Sequence, residues 1–330
     1  MSDLVEVQGL RKAFAGRKRF GRKKAEPVAA VDDVSFSIPA GETLALVGES
    51  GAGKSTVGRM AIRLIEPDSG SVTFDGGDVL ALGSAELRRW RRNAQMVFQD
   101  PFTSLDPHLV IGQTIEESLQ VHGVGDREER HERMLGLLDR VGIRPDQADR
   151  YPFEFSGGQL QRIAIARALA PEPRFIVCDE PVAALDMSIR ASVLNLLRDL
   201  QEERGLSYLF VTHDLSLVRA IAHRTAVMRQ GRIVEMGPTQ RVFDSPEHPY
   251  TRTLLAAVPI PDPRIQRDRS RTVGQEVSPA ELEEAPASTE DADPEWTTPA
   301  NTLPVEDGLV AGPGRDDEVV VGLEKRSPSE

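Results

Sequence analysis

One glycine-rich segment has the residue types that bind phosphate. GESGAGKS, residues 48–55, fits the spacing G-x-x-x-x-G-K-[ST]. Its glycines allow backbone N–H groups to surround β- and γ-phosphates, Lys54 supplies a cation to their oxygens, and the Ser55 hydroxyl can ligate Mg²⁺. The segment therefore predicts a phosphate-binding loop, or P-loop. The predicted nucleotide contacts in it are Gly48, Glu49, Ser50, Gly51, Ala52, Gly53, Lys54, Ser55 and Thr56.

Two adjacent carboxylates follow a short apolar run, RFIVCDE, residues 174–180. A P-loop ATPase needs one carboxylate that holds the metal through water and one group that activates the attacking water. Asp179 is the candidate for the metal and Glu180 the candidate general base. Such pairs also cap helices, but after a buried strand in a chain with a P-loop they predict nucleotide hydrolysis.

A second glycine-rich helix start lies more than a hundred positions later, in FSGGQLQRIAIARAL, residues 155–169. The bare backbone at such a start attracts anions. This segment lacks the lysine and the adjacent metal-binding hydroxyl of the first one. It is therefore predicted to be a poor primary phosphate site.

The elements that must position these residues alternate between strands and helices, and glycines punctuate them. Between residues 101 and 151 the pattern is helical and highly charged, with no strand, which predicts a helical insert in an α/β domain. Residues 225–237 read as a hairpin with Gln230-Gly231 at its turn. Strands are predicted at 4–10, 31–38, 43–48, 71–76, 96–98, 174–181 and 207–214, and helices at 54–64, 188–205 and 215–223, with a further helix in the second half of 155–169.

The net charge of −12 is concentrated at the C-terminus, where residues 262–330 carry 17 acidic and 7 basic residues. The rest is nearly neutral, which gives no electrostatic support for broad nucleic-acid binding. The basic stretch RKRFGRKK, residues 17–24, is interpreted as a solvated loop in preference to a lipid-headgroup or nucleic-acid contact. Residues 264–330 are rich in Pro, Glu, Asp, Ser and Thr, and are expected to form an acidic, mostly disordered tail.

Several classes of protein are disfavoured. No apolar run approaches the length of a membrane span, and the acidic N-terminus does not match an export signal. The single cysteine, Cys178, excludes an intrachain disulfide and is expected to lie in the core. A cytosolic protein is the simplest interpretation.

The motifs together resemble a known family. GESGAGKST, VFQDP, EFSGGQLQR, FIVCDEP, AALD and FVTHD occur in the order and spacing of ABC-type ATPase domains, over roughly residues 4–260. The resemblance implies an α/β fold, with a RecA-like core, an antiparallel β-subdomain and a helical subdomain at about 101–160, within an ATPase domain at 1–261. SPEHPYTRTLLAAVPIPDP, residues 245–263, resembles the C-terminal extension of oligopeptide and dipeptide importer ATPases, most like their F-type subunit, and places an extension at about 238–263.

The resemblance also implies roles for single residues. Gln99 would contact Mg²⁺ and water, and His213 would lie near the γ-phosphate. Asp186 would reach across a dimer interface, and Phe14 would stack on adenine. The signature motif, which would cover the nucleotide of a partner ATPase, consists of Ser156, Gly157, Gly158 and Gln159.

Structural alternatives accompany these roles. Gln99 could be a surface amide, and His213 could be a structural residue at a strand end. Asp186 could simply cap the helix that begins near Met187. Phe20 competes with Phe14 for the adenine.

The function implied is an ATP- and Mg²⁺-dependent ATPase on the cytoplasmic face of the cell membrane that drives uptake of oligopeptides or dipeptides. Its implied partners are two membrane-spanning permease subunits, a second ABC ATPase (a heterodimer, with a homodimer as the alternative) and, indirectly, an extracytoplasmic substrate-binding protein, with no nucleic acid. A soluble ABC ATPase acting on DNA or ribosomes is the alternative class, and nickel or another small solute the alternative cargo. A regulator without turnover is a third class, which the presence of Glu180 disfavours.

Overall fold

The structure of the chain is a computed structural model. It describes residues 3–14 and 28–257, together with the backbone of residues 288–289. The basic stretch 17–24, Phe20 and the acidic tail, apart from that residue pair, lie outside the described residues. The expectations of a solvated loop and a disordered tail therefore stay predictions.

Strands and helices alternate as the sequence predicts for an α/β domain. The strands are β1 Asp3–Phe14, β2 Val28–Pro39, β3 Thr43–Val47, β4 Ser69–Phe74, β5 Gly77–Asp78, β6 Ala94–Val97, β7 Phe175–Asp179, β8 Ser207–Thr212, β9 Arg224–Arg229, β10 Arg232–Pro238 and β11 Ser288–Thr289. The helices are α1 Lys54–Ala61, α2 Ser84–Trp90, α3 Pro101–Ser104, α4 Ile111–Val121, α5 Arg127–Arg140, α6 Gly157–Leu169, α7 Met187–Arg204, α8 Val218–Ile221, α9 Thr239–Asp244 and α10 Pro249–Ala256.

A seven-stranded sheet has the order β11-β10-β9-β3-β8-β7-β6. Strands β6, β7, β8, β3 and β9 run parallel to one another. Every residue of β3, β7 and β8 is buried, as expected for central strands covered on both faces. Because parallel strands end at one edge, the segments after β3, β6, β7 and β8 lie along the same side of the sheet.

A second, four-stranded antiparallel sheet has the order β2-β1-β4-β5. Its apolar side chains share one buried cluster with β3 and α1, including Val5, Val34, Leu46 and Met60. The two sheets are also joined directly, since the Asp32 N–H donates to the Gly231 carbonyl at 2.8 Å. Helix α1 and the loop before it are therefore packed between the two sheets.

Residues 101–151, where the sequence predicts a helical pattern, contain helices and turns and no strand. Helices α4, α5 and α6 pack through buried aliphatic residues such as Ile115, Leu138 and Ile163. At the start of α5 the Asp126 carboxylate accepts from the N–H groups of Glu128 and Glu129. This cap lets a strongly charged helix begin at a defined residue.

Most element boundaries differ from the sequence prediction by a few residues, and three of the differences have an identifiable local cause. Helix α1 ends at Ala61 instead of residue 64, because Arg63 takes a φ of 50° and ends the helical repeat. Strand β6 occupies 94–97 instead of 96–98, since Ala94 already pairs with Phe175. The helix predicted at 215–223 is a 3₁₀ turn at Leu215–Leu217 followed by the short α8.

The hairpin predicted at 225–237 is confirmed, with β9 and β10 antiparallel. Its turn residues Gln230 and Gly231 have φ of 46° and 85°, the left-handed values that tight two-residue hairpins favour.

Within the described residues, no helix is long and apolar enough to cross a membrane.

Candidate active site

The loop between β3 and α1 is tightly enclosed by backbone from both sheets. Gly48 has a φ of 150°, and a Cβ there would lie 2.1 Å from the Met228 carbonyl oxygen. Gly53 has a φ of 103°, and a Cβ there would lie 2.1 Å from the Ala30 carbonyl oxygen. Glycine is therefore required at both positions by conformation and by space.

Lys54 points into this loop and is only 5% exposed. Its Nζ donates to the carbonyls of Gly48 at 2.7 Å and Glu49 at 2.8 Å. Burial lowers the pKa of the Lys54 ammonium, and the nearby Glu180, Asp179 and Glu49 carboxylates oppose that shift. The loop thus presents a buried cation whose present partners are neutral carbonyls, and a phosphate would be a stronger, charge-assisted partner.

The carboxylate predicted to serve the metal lies directly beside the P-loop hydroxyl. Ser55 Oγ donates to Asp179 Oδ1 at 2.7 Å, and Asp179 is 1% exposed. Burial raises the pKa of Asp179, while the Ser55 hydrogen bond and the Arg59 charge work in the opposite direction. A hydroxyl and a carboxylate are oxygen ligands of the kind that Mg²⁺ prefers.

The described residues contain no group of three or more His, Cys, Asp or Glu side chains that could hold a metal ion alone. A magnesium ion at Ser55 and Asp179 would need further oxygens from phosphate and water, which is how Mg²⁺ is usually bound in phosphoryl-transfer sites. The residues present therefore fit Mg²⁺ as a partner of bound nucleotide.

Glu180 brings together three loops at the edge of the sheet. Its Oε2 accepts from Gln99 Nε2 at 2.8 Å, and its Oε1 lies 2.9 Å from His213 Nδ1. The Glu180 backbone has a φ of 48°, and its N–H donates to the Val211 carbonyl at 2.9 Å. Glu180 thus contacts both of the other residues predicted to be catalytic, and the catalytic roles of the three stay predictions.

The second glycine-rich segment forms the start of α6. Ser156 Oγ accepts from the Gln159 N–H at 3.4 Å, and Gln159 Oε1 accepts from the Ser156 N–H at 3.0 Å. Ser156 itself is exposed, whereas Gly158 is buried, with a Cβ position only 2.5 Å from Ile189 Cγ2. In the part of the chain that the structure describes, no hydrogen bond or ion pair joins residues 156–159 to the chain's own P-loop.

Asp186 occupies the N-cap position of α7, but its side chain makes no capping hydrogen bond and is exposed. The loop before it is secured by another residue, because Arg190 Nε donates to the Leu185 carbonyl at 2.7 Å. Arg190 Nη1 also reaches Asp214 Oδ2 at 3.2 Å, next to His213. The capping alternative therefore lacks its hydrogen bond, and the role across a dimer interface stays a prediction.

Replacing Asp186 by alanine should barely change the thermal stability of the chain, because no hydrogen bond is lost. Asp126→Ala is the matched control, since it removes a carboxylate that caps α5 through two N–H groups. Loss of such a cap costs about 1 kcal/mol, so the control should melt several degrees lower. Equal losses of Tm in the two variants would show that Asp186 is a structural cap.

Phe14 is the last residue of β1 and pairs with Val28 of β2. Two residues further along β2, the Ala30 carbonyl abuts Gly53. Phe14 is 43% exposed, so its ring is available at the end of the sheet that meets the P-loop. This position supports adenine stacking, which stays a prediction.

Sequence reasoning missed Arg59, Arg190 and Tyr250. Arg59 Nη2 lies 3.6 Å from Asp179 Oδ2, and the spacing of four residues after Ser55 on α1 could have indicated a shared face. Tyr250 lies in the segment HPYT, residues 248–251, and its hydroxyl accepts from the Glu49 N–H at 3.4 Å. No local pattern indicates the contacts of Arg190.

The parallel sheet, the P-loop between β3 and α1, and the carboxylates after β7 define a P-loop nucleotide-binding domain. The profile of the family described as ABC transporter matches residues 31–183, and that of the oligopeptide/dipeptide transporter C-terminal region matches residues 234–286. With the relatives below, these matches show that the chain belongs to the family of ABC transporter ATP-binding proteins.

Two curated relatives illustrate the similarity. The glutathione import ATP-binding protein GsiA of Salmonella paratyphi A is 50% identical over 266 residues, which is 81% of this chain and 43% of that protein. A candidate peptide import ATP-binding protein of Brucella ovis is 49% identical over 277 residues, 84% of this chain and 85% of that protein. The chain thus spans less than half the length of GsiA and most of the length of the Brucella protein.

Solved structures agree with the fold. A dimeric ATP-binding cassette in a post-hydrolysis state with bound ADP and Pi has a TM-score of 0.64 and 32% identity, covering 71% of this chain and 98% of that one. The protein cbiO1 of Clostridium perfringens, part of the ABC transporter complex cbiONQ, has a TM-score of 0.65 and 26% identity, covering 82% of this chain and all of that one. The predicted fold class and the resemblance to ABC ATPase domains are confirmed.

Proposed function

We propose that this chain is the ATP-hydrolysing subunit of a membrane ABC importer that takes up short peptides. ATP hydrolysis is supported mainly by the contact of Glu180 with both Gln99 and His213. This group lies next to Lys54, Ser55 and Asp179. The C-terminal region and the import functions named for the relatives support the peptide part. In domain terms, the ATPase domain would occupy 1–261, with its extension at about 238–263 and the acidic tail at 264–330.

Nucleotide binding would use the enclosed P-loop. The phosphates would replace the Gly48 and Glu49 carbonyls as partners of Lys54 Nζ, and Phe14 would stack on the base. Ser55 and Gln99 would contact Mg²⁺, and Asp179 would hold it through water. When bound, Mg²⁺ would neutralise developing charge on the phosphate oxygens.

Hydrolysis would use Glu180 as the general base. Its carboxylate would accept a proton from a water molecule, whose oxygen forms a bond to the γ-phosphorus while the bond from that phosphorus to the β,γ-bridging oxygen breaks. Gln99 and His213 keep the two carboxylate oxygens oriented, at 2.8 Å and 2.9 Å respectively. His213 would then contact the γ-phosphate, which couples the phosphate to the position of the base.

The signature segment makes no hydrogen bond or ion pair with the chain's own P-loop among the described residues. Ser156 is exposed at the start of α6, and its backbone N–H donates to the side-chain oxygen of Gln159. We infer that residues 156–159 cover the nucleotide of a second ATPase chain, in a heterodimer or alternatively a homodimer. Closing the pair on two nucleotides then depends on contacts that exist only when both chains are present.

A groove between α2, β6 and α4 is a suitable surface for the permeases. It has a volume of about 550 Å³ and includes Leu64, Arg88, Phe98, Val121 and His122. Leu64 and Val121 are exposed apolar residues, and burial and neighbouring arginines lower the pKa of His122. Since Phe98 directly precedes Gln99, a permease segment in this groove would be linked to the hydrolytic site.

The proposed assembly predicts which proteins co-purify with this chain from cells. Affinity purification from solubilised membranes should recover two membrane-spanning permeases and a second ABC ATPase, and mild crosslinking should add a substrate-binding protein. Recovery with ribosomes or DNA in place of permeases would contradict the transporter and favour the soluble class. Uptake of a labelled dipeptide that depends on this chain, compared with uptake of nickel, would identify the cargo class.

A further inference from the structure

The HPYT segment of the C-terminal extension reaches the P-loop. Tyr250, in the first turn of α10, is 5% exposed, and its hydroxyl accepts from the Glu49 N–H at 3.4 Å. Burial raises the pKa of the Tyr250 hydroxyl, so it stays neutral at physiological pH. One end of the P-loop is thus bonded to an element more than 190 residues away in the sequence.

The start of α10 is fixed by buried polar groups. The Glu235 carboxylate, on β10, is 4% exposed and accepts from the N–H groups of Glu247 and His248, each at 2.9 Å. His248 Nδ1 in turn accepts from the Tyr250 N–H at 3.1 Å. Because buried polar groups are costly to leave unpaired, this chain of bonds limits where the Tyr250 ring can lie.

The Tyr250 ring also lies in a buried cluster that has members on both sides of the nucleotide site. It belongs to a buried cluster with Val47, which directly precedes Gly48, and with Leu215, two residues after His213. The Arg229 guanidinium lies over the ring, 5.1 Å from its centroid. The ring therefore shares a buried cluster with the strand before the P-loop and with the segment after His213.

Glu49 is held at both of its backbone polar groups. Its N–H donates to Tyr250, and its carbonyl accepts from Lys54 Nζ at 2.8 Å. Tyr250 therefore acts on the same peptide segment that positions the phosphate-binding lysine. A cavity of about 280 Å³ is lined by Glu49 and the next three residues of this loop together with Tyr250 and Thr253 of α10, so the hydroxyl is a local support beside an open space.

We propose that Tyr250 is a positioning residue that pre-organises the P-loop, and that the C-terminal extension thereby sets the nucleotide affinity of this ATPase. This inference goes beyond the proposed function, which assigns the extension no part in nucleotide binding. A loop that is already ordered loses less conformational entropy on binding.

Tyr250→Phe in the full chain removes the hydroxyl and retains the ring. Isothermal titration with MgADP should give a Kd about three- to tenfold higher than that of the wild type, the range expected for one hydrogen bond. In the nucleotide-free protein, amide exchange of the peptide that contains residues 48–55 should be faster. Neither readout depends on turnover.

Tyr208→Phe is the matched control, because the Tyr208 hydroxyl donates to the Leu197 carbonyl at 3.0 Å in the core. It should lower Tm and leave the Kd for MgADP and the exchange of the P-loop unchanged. A wild-type Kd and wild-type exchange in Tyr250→Phe would overturn the proposal. If the wild-type chain failed to bind MgADP at all, both this inference and the proposed function would be wrong.

Discussion

Glu180→Gln is expected to lower kcat for ATP hydrolysis by at least about 100-fold, since a general base typically contributes a factor of 10² to 10⁴. The amide has nearly the same shape but cannot accept a proton from water. MgATP binding should persist, because Lys54 and Ser55, which would contact the phosphates, are unchanged. Steady-state phosphate release and equilibrium MgATP binding measure the two parts separately.

The retained binding has a further consequence. If ATP joins two ATPase domains, the variant should accumulate as a closed dimer with ATP, visible by size-exclusion chromatography together with its partner domain. Glu203→Gln is a suitable control, since Glu203 forms a surface pair with Arg140 at 2.5 Å and touches no site residue. Normal hydrolysis by Glu180→Gln would exclude Glu180 as the base.

The residues around Glu180 show which parts of the site could be predicted from the sequence. The P-loop and the carboxylate pair depend on spacing within about ten residues, so a single segment carries the signal. The contacts of Glu180 with Gln99 and His213 span 81 and 33 residues. The family resemblance placed Gln99 and His213 near the nucleotide, but their contacts with Glu180 were not predicted, because they depend on parallel strands that end at one edge of the sheet.

The residues that were missed depend on tertiary contacts with no local pattern. Arg190 reaches the loop before α7 and Asp214 after β8 only because these two segments lie side by side in the fold. Tyr250 reaches Glu49 across 201 positions. A single sequence has no period or motif that indicates such pairs, although the distinctive HPYT segment marked the region.

The boundary errors have a similar origin. The apolar spacing of residues 215–223 favours a helix, but the Asp214 carboxylate accepts from the Ser216 N–H and starts a tight 3₁₀ turn. The end of α1 is determined by the left-handed conformation of Arg63, whose side chain donates to the Val79 and Leu82 carbonyls. A local hydrogen bond overrides the periodic pattern at residue 214, and contacts of Arg63 with residues 16 and 19 positions away accompany the end of α1.

The largest effect on binding is expected for Lys54→Ala, which should raise the Kd for MgATP by at least about 30-fold. Hydrogen bonds to charged groups contribute about 1.5–3 kcal/mol each, and the ammonium would contact both β- and γ-phosphate oxygens. Isothermal titration with MgATP in the Glu180→Gln background avoids turnover during the measurement.

The same substitution should not destabilise the folded chain. Burial lowers the pKa of Lys54 in the folded state, so at neutral pH the charged ammonium costs free energy relative to the unfolded chain, a cost that falls as pH rises. Removing it relieves this cost but also loses the hydrogen bonds to the Gly48 and Glu49 carbonyls, so Tm should change little. Lys12→Ala is the control: it removes a lysine paired with Asp68 at 2.7 Å, and should leave nucleotide affinity unchanged. A lower Tm for Lys54→Ala with a normal Kd would mean that the lysine is a structural part of the loop and not its phosphate ligand.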